Sequence, residues 1–348
     1  MLYRRRGLSR ISYERYFSQN AVFVGEQIEL IERVGNRKLL PLPWLQIESS
    51  FEAGLQFTGQ TDLQITEGET LQYHKSVFSL SPYTQVTRRH RVTCEKRGHY
   101  GLHTVTMTCG DLLGTQNRFT HVHPVGELIV YPEMVSLDNI PLPFHSLQGE
   151  VTVKRWLLPD PFTFAGTRDY QSGDALRQIN WKATARAGRL QVHQQEYTAD
   201  IRLMVCLNFE VSEEMWDMVT DRERIERGIS YAASIAHDAI LRGVETGFAC
   251  NGQLPDDRVN AVRAHPESGQ SHLLRLLDTM ARLILRCSCS FHTLLAKEIE
   301  QNERALDYLL ITSYMNDTLQ ERVNQLERQG SAVSVLLLAK VEERFAPC

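Results

Sequence analysis

The sequence predicts a multidomain α and β protein, an N-terminal antiparallel β-sandwich followed by an α/β domain built on a parallel sheet. Three observations carry this. Nine of the twelve prolines lie at or before Pro161, and that stretch lacks helical periodicity. It carries instead short alternating apolar runs separated by turn residues, the pattern of sandwich strands. Beyond residue 190, strand-length apolar runs alternate with helical patterns, which implies a parallel sheet covered on both faces. The boundaries read from these shifts are a basic N-terminal segment 1–20, a sandwich 21–150, a connecting segment 151–190 and an α/β domain 191–348.

In the first part the expected strands are 22–24, 27–32, 44–47, 76–80, 85–87, 104–108 and 128–131, with Gly25, Gly98, Gly101 and Gly114 at turns. In the second part, 201–207 reads as a buried strand. Ile225, Ile229, Ala232, Ala236 and Ile240 share one helix face, closed by Gly243. Residues 247–250 form a short strand. Ser271 is the expected N-cap of a helix carrying Leu273, Leu274, Leu277, Met280 and Ile284, and Thr293 that of another. A strand at 306–312 precedes a helix with Leu319, Val323 and Leu326, ended by Gly330, and 332–338 is the last strand.

Composition narrows the class. The 348 residues carry 38 Lys plus Arg against 42 Asp plus Glu, a net charge of −4. A dedicated nucleic-acid binder would show a basic stripe, so no nucleic-acid partner is expected. No window reaches the roughly 18–20 apolar residues that cross a bilayer, and nothing at the start reads as a signal peptide. The seven cysteines, at 94, 109, 206, 250, 287, 289 and 348, include no CxxC pair. Their odd number fits a reducing compartment better than a disulfide framework.

The connecting segment is the most unusual part of the chain. Asp174 is expected to cap a helix from Ala175 to about Arg186, and Gly188 to stop it. On such a helix Arg177 and Trp181 are neighbours four residues apart. Trp181, among Leu176, Ile179 and Ala183, is expected to be at least half buried. Arg168, Arg177, Lys182, Arg186 and Arg189 make the stretch locally basic, with Asp169, Asp174 and Asn180 as partners. Three roles follow for Arg168, Tyr170, Gly173, Asp174, Arg177, Asn180, Trp181, Lys182 and Arg186: they weld the two domains together, they form a docking or ligand surface, or, least favoured, they take part in catalysis.

This segment resembles the signature of a bacterial family known only as domain of unknown function fifty-eight. The family pattern, R-x-Y-x-x-G-D-x-x-R-x-I-x-W-x-x-x-A-R, is met by Arg168, Tyr170, Gly173, Asp174, Arg177, Ile179, Trp181, Ala185 and Arg186. Arg97 to Leu102, Asp111 to Gly114 and Tyr131-Pro132 resemble further family elements, with Leu112 where proline is usual. The resemblance implies that the α/β domain is von Willebrand factor A-like, a Rossmann-type fold. It implies a MoxR-type AAA+ ATPase as partner. It also implies a pair of N-terminal membrane helices, so the chain is expected either to follow such a pair, with the basic residues from Arg4 to Arg10 on the cytoplasmic side, or to be a natural soluble member.

A-type domains often hold a divalent cation at an adhesion site. The matching positions here are Asn208, Glu210, Ser212 and Ser313, where neutral groups replace two of the family's carboxylates, so neither a metal nor any other cofactor is expected. His121 and His123 share a strand face but nominate no third ligand, and Cys287 and Cys289 read as apolar lining. There is no G-x-S-x-G elbow and no phosphate-binding G-x-x-x-x-G-K-[ST] loop, so the chain is not itself the ATPase. The expected function is a non-catalytic adaptor or assembly factor that works with a MoxR-type ATPase and an unidentified protein client. The alternatives are a divalent-metal-dependent adhesion protein and an envelope-linked hydrolase. The expected location is the cytoplasm, with the full-length form anchored in the membrane.

Overall fold

The computed structural model describes residues 7–58, 63–67, 71–110, 117–142, 164–169, 179–195, 202–213, 218–301, 303 and 306–340. The chain divides into two compact units, the first comprising 1–134 with 277–283, the second 135–276 with 284–348.

The first unit is all β. Its strands are β1 (Ile11–Phe17), β2 (Ala21–Phe23), β3 (Gln27–Asn36), β4 (Leu42–Glu52), β5 (Leu55–Thr58), β6 (Leu63–Glu67), β7 (Leu71–Leu80), β8 (Gln85–Cys94), β9 (Gly98–Gly101), β10 (Val105–Gly110), β11 (Asn117–Val122) and β12 (Glu127–Tyr131). They form a four-stranded sheet ordered β1-β3-β8-β5, a five-stranded sheet ordered β11-β10-β4-β7-β6, and a small sheet ordered β2-β12-β9. Every pairing in the two larger sheets is antiparallel. Because side chains alternate along a strand, each sheet buries one apolar row. All seven expected strands lie in this unit. The strand β1 begins ten residues before the expected boundary at 21, so segment 1–20 contains part of a sheet. Its sequence, Ile-Ser-Tyr-Glu-Arg-Tyr-Phe, is too polar to read as a strand.

The core of this unit is split in two. One apolar cluster gathers Phe17, Ile28, Leu30, Phe51, Leu55, Val92 and Leu128, and another gathers Val34, Leu45, Ile47, Phe78, Leu80 and Met107. Between them, at positions of the same inward parity, lie Arg15, Glu32, His74 and His90, all buried. Arg15 and Glu32 are cross-strand neighbours. Tyr13 Oη donates to Glu32 Oε1 at 2.7 Å, and His90 Nε2 lies 3.6 Å from Glu32 Oε2. The Arg15 guanidinium sits over the Phe51 ring at 4.3 Å, and the His74 ring meets Phe51 and Phe57 edge-on. Burial by itself raises the Glu32 carboxyl pKa, but His90, Arg15 and Tyr13 outweigh it and hold it below the usual range. Burial, with Arg15 and His90 nearby, pushes His74 down to about 3. The segment 277–283 also belongs to this unit, where Arg97 Nη1 donates to the carbonyls of Met280, Ala281 and Leu283 at 2.8, 3.1 and 2.9 Å.

The second unit contains β13 (Phe164–Asp169), α1 (Trp181–Ala187), β14 (Gln191–Gln195), β15 (Arg202–Leu207), α2 (Arg222–Leu241), β16 (Glu245–Cys250), β17 (Gly252–Gln253), β18 (Val262–Glu267), α3 (Gln270–Arg282, whose end counts with the first unit), β19 (Ile284–Cys287), α4 (Phe291–Gln301), β20 (Leu306–Thr312), α5 (Asp317–Arg328) and β21 (Val333–Leu337). Its main sheet is ordered β18-β16-β15-β20-β21, parallel except at the β18 edge. Met204, Cys206, Ala249, Tyr308 and Leu310 pack against Phe291, Leu294 and Leu295 of α4 and Leu319, Val323 and Leu326 of α5. Residues of opposite parity, among them Leu207 and Ile311, approach α2 at Gly228, where an added methyl would meet Leu207 Cδ1 and Leu338 Cδ1, each at 2.9 Å. The continuous apolar runs thus reflect burial on both sheet faces.

Three helix expectations are corrected. The expected helix from Ala175 to about Arg186 is not continuous: Ile179 bridges to Val192, and α1 begins only at Trp181, with Asn180 as its N-cap, while Asp174 lies outside the described residues. Ser271 lies inside α3 rather than at its cap, and Ile284 belongs to β19 because Leu283 ends the helical path. Thr293 lies inside α4, two residues past its start.

Candidate functional site

Two places in the second unit bring the sequence-predicted residues together. The first is the carboxyl end of strands β15 and β20. These central strands are adjacent, yet β16 lies to one side and β21 to the other, so the connections diverge at this point. Ligand crevices in open parallel sheets form at such switch points.

Asn208 and Glu210 leave the end of β15, and Thr312 and Ser313 end β20. Asn208 Nδ2 donates to Thr312 Oγ1 at 3.0 Å, and its Oδ1 accepts the Glu210 N–H at 2.9 Å. Asn251, directly after β16, joins them: its Oδ1 accepts Phe209 N–H at 2.8 Å, and its Nδ2 donates to Asn208 Oδ1 at 3.3 Å and to Cys289 O at 3.2 Å. Glu210, 3% exposed, is the centre. Its Oε1 accepts the N–H of Phe291, the first residue of α4, at 2.6 Å, while Asn251 Nδ2 stands 3.4 Å away. Its Oε2 accepts the Tyr314 hydroxyl. Burial and then this bond to Glu210 raise the Tyr314 phenol pKa well above the usual range. Arg224 of α2 ties the rim together, donating to Ser313 O and Leu338 O at 2.9 and 2.8 Å. The Ser313 hydroxyl is buried without a hydrogen-bond partner, and Ser212 lies on the partly exposed bend beyond Glu210.

The donors around Glu210 occupy both carboxylate oxygens, the positions from which a hard cation would draw its ligands. Among the described residues, no three His, Cys, Asp or Glu side chains converge as a metal centre would require. Asn251, Phe291 N–H, Tyr314 and Arg224 were missed in the sequence. Asn251 and Tyr314 had a signal, since they follow the ends of β16 and β20 by one and two residues on the carboxyl side of the sheet.

The second place is α1. Trp181 is 69% exposed, which overturns the expectation that it is at least half buried. The reason is local: Ile179 and Val192 pair as a buried β-bridge, so the apolar residues before Trp181 do not continue its helix. Lys182 and Arg186 are also exposed, and Asn180 is a helix cap. Arg168 lies in β13, opposite Val192. Tyr170, Gly173, Asp174 and Arg177 lie outside the described residues, as does the expected Arg177–Trp181 contact.

In the first unit, His121 and His123 are exposed and bond to Thr106 and Thr104 at 3.1 and 3.0 Å. Those threonines line a groove of about 470 Å³ with Glu48, Tyr73 and Lys75. Cys287 is buried and Cys289 partly so, and burial raises the Cys289 thiol pKa.

A family model matches residues 166–346, and its description is "Protein of unknown function DUF58". The chain belongs to this family. Over 326 residues it is 19% identical to the uncharacterized protein YeaD of Bacillus subtilis (strain 168), a match that covers 93% of this chain and 74% of that protein. Among solved structures, the CARDB domain of the Pyrococcus furiosus PF1109 protein is 14% identical, covering 35% of this chain and 96% of that one with a TM-score of 0.21. A non-cellulosomal cohesin from Archaeoglobus fulgidus is 12% identical, covering 36% and 92% with a TM-score of 0.24. Likenesses this slight carry no argument. No helix among the described residues is long and apolar enough to cross a membrane.

Proposed function

We propose that this chain is a non-catalytic adaptor or assembly factor, and that its second unit is a von Willebrand factor A-like domain whose adhesion site works without a metal. One observation carries the reading: Glu210, at the position where such a domain would ligate a cation, is held by the N–H of Phe291 and the hydroxyl of Tyr314. The strand order, with the first two parallel strands turning one way and the last two the other, supports the A-like assignment. A site closed by its own donors is a rigid scaffold for partner contacts rather than a seat for chemistry.

The partner in this reading is a MoxR-type AAA+ ATPase, as the family resemblance implies, and the ATPase supplies the force while this chain supplies client recognition. A full-length form would be anchored in the membrane with both units in the cytoplasm. The test is size-exclusion chromatography and calorimetry of the purified chain with the MoxR-type ATPase of the same cell. A saturable complex is expected. Recovery of the two proteins as separate species, with and without nucleotide, would overturn the adaptor reading.

A further inference from the structure

We propose that the outward face of α1 docks an acidic protein segment, with the Trp181 indole as the apolar anchor. This deepens the adaptor reading and rests on it for the statement that the partner is a protein.

The face is built and held. Asn180 Oδ1 accepts the Ala183 N–H at 3.0 Å, and Gly188, at φ +67°, closes the other end in the left-handed region that favours glycine. The Thr184 hydroxyl accepts the Gln191 N–H at 3.0 Å, and Asn180 N–H donates to Gln191 O at 2.8 Å. These bonds pin the Ala183–Thr184 side of α1 to β14. At 100° per residue, Trp181, Lys182, Ala185 and Arg186 then share the opposite side, and all four are exposed. Ala185 follows Trp181 by one turn, so the indole stands beside a methyl group and keeps an open flank.

An indole 69% exposed is an unusual use of the largest side chain, and it is not part of a core. Tryptophan and arginine are the residues that most often anchor interfaces when a partner desolvates them. The capped, pinned helix presents them in fixed positions, which lowers the ordering cost of binding.

Charge names the partner. From Ile179 to Gln195 there is no carboxylate, while Lys182, Arg186 and Arg189 lie within that span. On a chain whose net charge is −4, this is a locally basic, carboxylate-free face, and an acidic partner is drawn to it. A segment rich in Asp or Glu with one apolar or aromatic residue fits both features.

The test is a display selection of random twelve-residue peptides on the full chain, followed by titration of the enriched peptides. Acidic sequences with an apolar residue are expected. Their affinity should fall at least ~10-fold in Trp181→Ala and in the Lys182→Glu/Arg186→Glu pair. It should also fall as salt is raised. Thermal unfolding of both variants controls for folding, and a single-stranded oligonucleotide and anionic vesicles serve as competing probes. Enrichment of neutral or basic peptides, no enrichment, tighter binding of the oligonucleotide or vesicles, or acidic peptides that bind both variants as well as the parent would each overturn the proposal. The same variants titrated with the MoxR-type ATPase separate the two readings. Unchanged ATPase binding leaves the adaptor standing with its surface elsewhere, whereas an ATPase that never binds removes the adaptor without touching the peptide result.

Discussion

Glu210 Oε1 accepts the backbone N–H of Phe291 at 2.6 Å, across 81 residues of sequence. The bond satisfies an N–H that the first turn of α4 cannot pair within the helix, and it places an acidic group at the favourable end of the helix dipole. It fastens the segment after β15 to the start of α4. Glu210→Ala strands the Phe291 N–H and the Tyr314 hydroxyl together, while Asn251 Nδ2 keeps Asn208 Oδ1 and Cys289 O as acceptors. A loss of about 3 kcal/mol in urea unfolding is expected. An unchanged midpoint would mean that the bonds contribute nothing.

The same arrangement makes a metal prediction. Calorimetric titration with Mg²⁺ or Mn²⁺ should give no saturable heat below about 1 mM. Micromolar binding that disappears in Glu210→Ala would revive the metal-dependent adhesion reading.

Trp181→Ala should change stability by no more than about 0.5 kcal/mol, the range of ordinary surface substitutions. A thermal shift of ten degrees would return the indole to a core role and contradict its exposure.

Arg263 of β18 binds Glu298 through Nε at 2.7 Å and Glu303 through Nη2 at 2.8 Å. Glu298 is 2% exposed, so Arg263→Ala leaves a buried carboxylate without its main partner. A cost of about 3–5 kcal/mol is expected, with much of it recovered in the double variant Arg263→Ala/Glu298→Gln. Simple additivity of the two single changes would show that the pair is not coupled.

Acid sensitivity follows from the sandwich interior. His74 has a folded-state pKa of about 3 against 6.5 for the free side chain. Between these values the unfolded chain binds the proton and the folded protein does not. Stability therefore falls as pH drops from 6.5 toward 3, by up to ~1.4 kcal/mol per unit. Glu32, its carboxyl pKa depressed, acts in the same direction but only below its free value of 4.5. Its contribution is present above that value and lost as pH falls through the folded one. The groups facing His74 are Arg15, His90 and Glu32. Unfolding measured from pH 6.5 to 5 should show a shallower slope in His74→Gln than in the parent; equal slopes would refute the assignment.

The sequence revealed the strands and helices whose apolar period is uninterrupted. Residues 306–312 are β20 as expected, and the face of Leu319, Val323 and Leu326 is the buried face of α5. It hid what depends on pairing between distant segments. Trp181 looked internal because apolar residues precede it, yet Ile179 is committed to Val192, a partner thirteen positions on. Asn208, Glu210 and Ser313 were legible as candidate site positions, but not the donors that hold Glu210, because Phe291 contributes only its backbone. In β3, Ile28, Leu30 and Val34 announce the inward face, while Glu32 at the same parity reads as the strand turning outward. Only the opposing Arg15, Tyr13 and His90 show why it stays inside.

That inward carboxylate also indexes the sandwich. Sliding β3 by two residues against β1 would keep every apolar side chain facing inward, so hydrophobic burial alone hardly distinguishes the shifted pairing from the native one. The slide would part Glu32 from Arg15, setting the carboxylate opposite Phe17 in one direction, or in the other leaving Arg15 opposite Leu30. Separating a buried charge from its partner in this way costs several kcal/mol. Two oily clusters could have been threaded in more than one alignment; the acid between them admits a single one.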